Sequence, residues 1–283
     1  MSDQFRVKLW GTRGSLATPG PETTRYGGNT SCVQVQSDDG TLLVLDAGTG
    51  IRGLGMALPG NIEHVHILLT HLHMDHIQGL GFFRPARTPG VRISIYAPAS
   101  TTQPLWERLN RYLSPPLFPV MLREFESDVT LNEVPCGDFQ IGPFIVSSML
   151  VCHPDPTVGF RISTGGASLA YLPDHEPALG DDSYSSGPDW VSGSALAQEV
   201  DLLIHDAQYT EKEYERRIGW GHSTIGQAIR FASLNGARQL VPFHHDPSHG
   251  DDELDRMIAD AVESARPPLL VHRGQEGSEF VLG

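Results

Sequence analysis

His71-Leu72-His73-Met74-Asp75-His76 places three imidazoles and one carboxylate within six residues, directly after the apolar run Val65-His66-Ile67-Leu68-Leu69. That run predicts a buried strand, so the cluster falls where a strand's carboxyl end opens into a loop. Neutral imidazole is the commonest metal ligand, and a carboxylate beside it suits zinc, manganese or iron. His71 and His73, one residue apart, can fold onto one ion. Asp75 and His76, on the next turn, can face a second. A packed core rarely supplies partners for so many adjacent polar groups, which argues against a purely structural role. The expectation is a metal-dependent hydrolase. Isolated histidines carry no such weight, and His64, His66, His249 and His272 are read as ordinary surface or core residues.

Working outward, short strand-like runs fill the first half: Phe5 to Trp10, Cys32 to Gln36, Thr41 to Leu45, Val65 to Leu69 and Val91 to Tyr96. A second series follows at Phe144 to Met149, Val158 to Ile162, Ala167 to Leu172, Asp201 to His205 and Leu240 to Phe243. Gly and Pro clusters punctuate them. Ile225, Ala228, Ile229 and Ala232 fall at helical spacing; Thr224 and Gln227 form a capping-box pattern before them, and Asn235-Gly236 ends the run. Leu254, Met257, Ile258, Ala261, Val262 and Ala265 make another apolar stripe, closed by Pro267-Pro268. No linker-like tract divides the chain, so residues 1–283 are expected to form one α/β domain, with residues 84–126 as an insertion. The run Ser114-Pro115-Pro116-Leu117-Phe118-Pro119 keeps the middle of that insertion from being regular helix. It reads equally as a connector or as a lid over the metal site.

Composition bounds the function. The 283 residues carry a net charge of −14, and the basic residues, mostly arginine, are dispersed. Extended nucleic acid needs clustered cations to displace counterions, so it is not the expected partner. A small anion remains compatible, because divalent cations reverse the local field. No stretch has the apolar length of a membrane span, and MSDQFRVKLW lacks secretory-signal features. Cys32, Cys136 and Cys152 are isolated and odd in number, as expected of thiols in a reducing compartment. Cytoplasmic localisation is the resulting expectation.

Further His and Asp residues recur at the ends of apolar runs: Asp46 after Leu42 to Leu45, His153 after Ser148 to Cys152, and Asp174 after Leu169 to Pro173. His205-Asp206 close the run from Val200, and His244-His245-Asp246 follow Leu240 to Phe243. Each is weak alone. Delivered together at one end of a sheet, they are what a shared metal site requires.

With these pieces in order, the chain resembles the metallo-β-lactamase superfamily, in the branch containing tRNase Z and related phosphodiesterases. The resemblance runs from Gly11-Thr12-Arg13-Gly14-Ser15 to His244. It implies a four-layer αβ/βα sandwich with two divalent metal ions between the sheets. By matching motif, His71, His73 and His153 would bind one ion, Asp75, His76 and His244 the other, and Asp174 would bridge them. Asp46 would support the ligand loop without binding metal. His244 and His245 compete for the last position; His244 is preferred as the nearer to the strand. Zinc suits this donor set best, with manganese or iron tolerated. A homodimer is implied by the resemblance alone.

His205-Asp206-Ala207 followed by Gly221-His222-Ser223-Thr224 is similar to the paired HEAT and HST elements of tRNase Z-like phosphodiesterases, with Asp206 where tRNase Z has glutamate. Asp206 orienting His222 would make a general acid for an alkoxide leaving group. The resemblance thus implies phosphodiester hydrolysis by hydroxide held between the metals, with Asp75 also orienting the nucleophile. The protruding Gly-rich, basic arm with which tRNase Z grips tRNA has no counterpart in the sequence. A small phosphodiester such as a cyclic nucleotide is therefore favoured over tRNA 3′-end processing. An ester or lactone hydrolase, which needs no Asp206–His222 pair, and a non-catalytic nucleotide-binding module are the other readings.

Overall fold

The structure is a computed structural model that describes residues 4–135, 137–179, 184 and 190–283. Cys136 lies outside the described residues; Cys32 and Cys152 are free thiols.

Two mixed sheets of seven strands stack face to face. The first contains β1 (Phe5–Gly11), β2 (Cys32–Ser37), β3 (Leu42–Leu45), β4 (His64–Leu68), β5 (Arg92–Ala97) and β6 (Asp128–Glu133), with β14 (Glu279–Leu282) on its far edge. Its order is β14-β1-β2-β3-β4-β5-β6. The second contains β7 (Gly137–Ile141), β8 (Phe144–Leu150), β9 (Val158–Ser163), β10 (Ser168–Leu172), β11 (Leu202–Asp206), β12 (Gln239–Phe243) and β13 (Leu270–Val271), in the order β13-β12-β11-β10-β9-β8-β7.

Alternation along β1 explains the stacking. Phe5, Val7 and Leu9 are fully buried while the residues between them are not. They join Leu43, Leu45, Phe144, Phe160, Tyr171 and Ile204 in a core between the sheets. The outer face of the first sheet packs Val44, Ile67 and Ile95 against Ile51 and Leu54 of α1 (Gly50–Ala57). The outer face of the second packs Ala170, Leu203 and Leu240 against Ile229 and Phe231 of α6 (Ile225–Leu234) and Leu254 of α7 (Asp251–Ala265). Covered on both faces, β10 and β11 are buried throughout, as continuous apolar runs predict. The layers run helix, sheet, sheet, helix, which is the four-layer αβ/βα sandwich of the metallo-β-lactamase fold. The expected capping box opens α6: Thr224 Oγ1 accepts from the Gln227 amide at 3.0 Å and Gln227 Oε1 accepts from the Thr224 amide at 2.9 Å.

Residues 84–126 are not one continuous insertion. They contain β5, which pairs in parallel with β4 and β6 through Val65↔Ile93 and Ile93↔Val129. Residues 84–91 and 98–126, the latter including the short α3 (Leu105–Asn110), run outside the sheets.

β3, β4 and β5 run parallel, as do β10, β11 and β12. Within each set the carboxyl ends therefore share one edge. Asp46, His71, Asp174, Asp206 and His244 all emerge there.

Candidate metal centre

The ligand atoms of His71, His73 and His153 lie within 4.8 Å of one another, and so do those of Asp75, His76, Asp174 and His244. Asp174 lies between the two groups. Its Oδ2 is 3.8 Å from His71 Nε2 and from His153 Nε2, while its Oδ1 is 3.0 Å from His76 Nε2. His244 Nε2 sits 3.1 Å from Asp75 Oδ2 and 3.3 Å from Asp174 Oδ2.

The rings are held by their other nitrogen. His76 Nδ1 donates to Asp46 Oδ2 at 2.8 Å, His153 Nδ1 to the Gly221 carbonyl at 2.9 Å, and His244 Nδ1 to Gln208 Oε1 at 2.9 Å. His71 Nδ1 meets Thr70 Oγ1 at 3.1 Å. Each acceptor places the proton on Nδ1 and turns the Nε2 lone pair inward, the arrangement a metal ligand needs. His73 has no such tether: its Nδ1 lies 3.4 Å from His153 Nε2, and its side chain is 42% exposed.

Asp46 is used up elsewhere. Buried and in a left-handed conformation at φ 59°, it accepts from the Thr70 amide at 2.8 Å, from His76 and from the Tyr171 hydroxyl at 2.9 Å. It braces the loop that carries His71 to His76. His245, the rival for the last ligand position, turns away, its Nε2 donating to the Gly274 carbonyl at 3.1 Å.

Several buried donor atoms have no hydrogen-bond partner: His71 Nε2, His76 Nε2 and Asp174 Oδ1. His76 Nε2 and Asp174 Oδ1 are close yet not aligned as a hydrogen bond. Burying such atoms unpartnered is costly, so their convergence fits a group of opposite charge placed among them. Imidazole nitrogens and carboxylates within such short reach fit divalent cations.

Electrostatics divides the cluster. Burial pushes the His71 and His153 imidazoles down. For His76 burial acts the same way but is outweighed by the carboxylates of Asp174, Asp75 and Asp46, so its pKa rises well above the usual histidine range. His244 is likewise pushed up to about 9, Asp174 and Asp75 overcoming its burial. Burial would raise Asp75 and Asp174, yet the neighbouring His76 and His244 hold both below the usual carboxylate range. The carboxylates and the His76 and His244 imidazoles thus each favour the other's charged form.

Beside the donor atoms, His222 Nδ1 donates to Asp206 Oδ2 at 2.6 Å. The His222 ring stacks on His244 with centroids 4.9 Å apart. Asp206 is fixed in turn by the amides of Gln208 and Ser223, each at 3.1 Å from Oδ1, and of His175 at 3.2 Å from Oδ2.

Several supporting residues were not singled out from sequence: Thr70, Tyr171, Gln208, Ser15 and Glu176. The Ser15 amide donates to Asp75 Oδ2 at 2.8 Å. Gly14, just before it, leaves room for the His244 ring, because a Cβ there would meet His244 Nδ1 at 2.3 Å. Buried Glu176 accepts from the Gly219 amide at 2.9 Å, the Gly221 amide at 2.8 Å and the Tyr214 hydroxyl at 2.7 Å. It shapes the loop that carries the Gly221 carbonyl and His222. Gly221 has φ 87° and faces the His153 ring, so a side chain there would both strain the backbone and collide. The Gly11–Ser15 and Asp174-His175-Glu176 stretches were visible beside recognised motifs, but nothing in their composition marked these contacts.

A four-layer sandwich with this histidine and aspartate cluster at its strand ends defines a metal-dependent hydrolase. The chain belongs to the family described as the beta-lactamase superfamily domain, whose model matches residues 41–245. A ribonuclease Z of Myxococcus xanthus is 25% identical over 281 residues, covering 84% of this chain and 87% of the relative. Among solved structures, the metallo-beta-lactamase fold protein YhfI from Bacillus subtilis superposes with a TM-score of 0.73 at 19% identity, covering 99% of this chain and 100% of the other. A diphosphatase from the PhnP family superposes with a TM-score of 0.69 at 19% identity, covering 98% and 97%. Among the described residues no helix is long and apolar enough to cross a membrane.

Proposed function

We propose that the chain is a phosphodiesterase acting on a small substrate, with a cyclic nucleotide as the leading class. The observation that carries this reading is the Asp206–His222 pair. It stands at the edge of the donor cluster, with 2.6 Å between His222 Nδ1 and Asp206 Oδ2. Hydrolysis of an activated amide or ester has little need of a separate acid, whereas an alkoxide leaving a phosphodiester does.

In this reading His71, His73 and His153 would hold one divalent cation, Asp75, His76 and His244 would hold the other, and Asp174 would contribute to both. Asp174's distances to His71, His153, His76 and His244 support that assignment. Zinc is the best match to these donors, and cations bound there would acidify water so that a nucleophile is available at neutral pH and would offset charge on the phosphoryl oxygens. Asp75, anchored by the Ser15 amide, orients the attacking water. Asp206 fixes the His222 ring through Nδ1, which leaves Nε2 to give its proton to the departing oxygen. Gln208 and Asp46 keep His244 and His76 from turning.

The net charge of −14 and dispersed arginines support a small substrate over extended RNA. Transfer RNA 3′-end processing is the competing reading, favoured by the ribonuclease Z relative.

The test uses metal-loaded protein against 3′,5′-cyclic AMP, a precursor tRNA, an aryl diester and an aryl ester in parallel. Cyclic nucleotide turnover is expected to exceed that of precursor tRNA. His222→Ala is expected to lower turnover of the alkoxide-leaving diester by about 10²–10⁴-fold, with much smaller loss on the aryl diester. Full-rate cyclic nucleotide hydrolysis by His222→Ala would remove the acid assignment; activity confined to precursor tRNA or to the ester would replace the substrate class.

A further inference from the structure

A cavity of 720 Å³ opens beside the donor cluster, lined by His71 and His73 and by side chains of the segment outside the sheets, among them Gln103, Arg111 and Leu117. His222 and His244 do not line it, so it lies on the His71–His73 flank, away from the acid. A pocket of this size matches a small organic ligand.

The wall has two characters. Met74, Leu117 and Leu150 are 49%, 68% and 66% exposed, and all three line this one cavity. Apolar side chains gathered at a concave site next to reactive groups mark a place where a ligand is covered. Between them stand the hydroxyls of Ser100, Thr101 and Thr102 and the Gln103 amide. Arg111, also lining the cavity, makes no ion pair among the described residues. A purely aliphatic group would cover these polar atoms without pairing them, at a desolvation cost. A flat heteroaromatic ring attached to a sugar meets both needs: its faces cover the apolar side chains, and its edge and hydroxyls pair with the amide, hydroxyls and guanidinium.

We infer that this cavity is a nucleoside subsite, holding the base and sugar of a nucleotide phosphodiester while the phosphorus lies over the donor cluster. The inference rests on the phosphodiesterase reading and adds the recognised group and the residues that choose it. Leu117 and Arg111 are its specificity residues. Both are exposed and outside the sheets, so replacing them perturbs no core packing.

The experiment compares two diesters with the same leaving group, thymidine 5′-(p-nitrophenyl phosphate) and methyl p-nitrophenyl phosphate. Wild-type protein is expected to favour the thymidine diester at least about 30-fold in kcat/KM, and Leu117→Ser and Arg111→Ala each to reduce that ratio about tenfold. Thymidine 5′-monophosphate binding, measured by calorimetry on the metal-loaded protein, should weaken about tenfold in the same variants. Equal kcat/KM for the two diesters, or an unchanged ratio and affinity in both variants, would overturn the subsite and leave the phosphodiesterase standing. Turnover of neither diester by metal-loaded wild type would overturn both.

Discussion

The two halves of the donor cluster are built on opposite electrostatic plans. His71, His73 and His153 form an all-imidazole group whose buried members are driven toward neutrality by desolvation, and whose third member is partly exposed. Asp75, His76, Asp174 and His244 form a buried, charged group in which carboxylates and imidazoles shift one another's protons. In the charged half every ring is tethered through Nδ1; in the neutral half His73 is not. A neutral, partly open group gives up its ion more readily than a tethered, anionic one, so the two positions should differ in affinity and in how their filling depends on pH.

The sharpest way to break this comparison is to remove the residue common to both halves. Asp174→Ala should lose both ions by elemental analysis and lower turnover by roughly 10³-fold or more, the scale of losing a charged group at the reacting centre. Retention of two ions would refute the bridging role. Next in size, His73→Ala should leave one tightly held ion with turnover down about 10²-fold, whereas Gln208→Ala should weaken the other position about 10–100-fold by untethering His244. Similar affinities at both positions in wild type, measured by competition with a chelator, would dissolve the distinction.

Proton release gives a finer test. His244, at about 9, and His76, also raised, must lose protons before they can bind metal, while His71 and His153 are already neutral. Metal loading of the stripped protein at pH 7 should therefore release protons chiefly from the charged half. Calorimetry in buffers of different ionisation enthalpy should show that release kept in His73→Ala and reduced in His76→Ala.

The smallest expected effect concerns stability away from the donor atoms. Burial lowers His205 to about 4, and its Nδ1 donates to the Asp206 carbonyl at 2.7 Å. Unfolded His205 titrates near 6.5, so between about 6.5 and 4 the unfolded chain binds a proton that the folded chain refuses. Proton linkage at His205 therefore costs nothing above about pH 6.5, and stability falls by about 1.4 kcal/mol per unit as pH drops from there toward 4. Denaturant titrations across that range should show a shallower slope for His205→Gln; an unchanged slope would exclude this source.

How much of this was legible in the sequence depended on local contrast. Strands β1–β5 and β8–β12 were read from apolar runs with only small boundary differences. The strands that were missed, β6, β7, β13 and β14, are the edges of the two sheets. An edge strand is paired on one side only and tolerates polar residues, so Asp128–Glu133 and Gly137–Ile141 carry no continuous apolar run to announce them. At the site, His71–His76 stood out because four ligating types crowd six positions. Asp46, Asp174, His244 and the Asp206–His222 pair could be singled out as candidates because each follows an apolar run or matches a family motif. Thr70, Tyr171, Gln208 and Glu176 could not, since their part depends on which atoms the fold brings within hydrogen-bond reach, and periodicity does not encode that.

Glu176 gives the loop before His222 a mechanical consequence. One carboxylate, answered by two backbone amides and a phenol instead of a cation, fastens a loop whose Gly221 carbonyl steers His153 and whose next residue is His222. The ring that would grip one ion and the ring that would deliver the proton are therefore mounted on the same bracket. A slackened bracket misaligns both at once, so impairments at His153 and His222 should be correlated rather than independent.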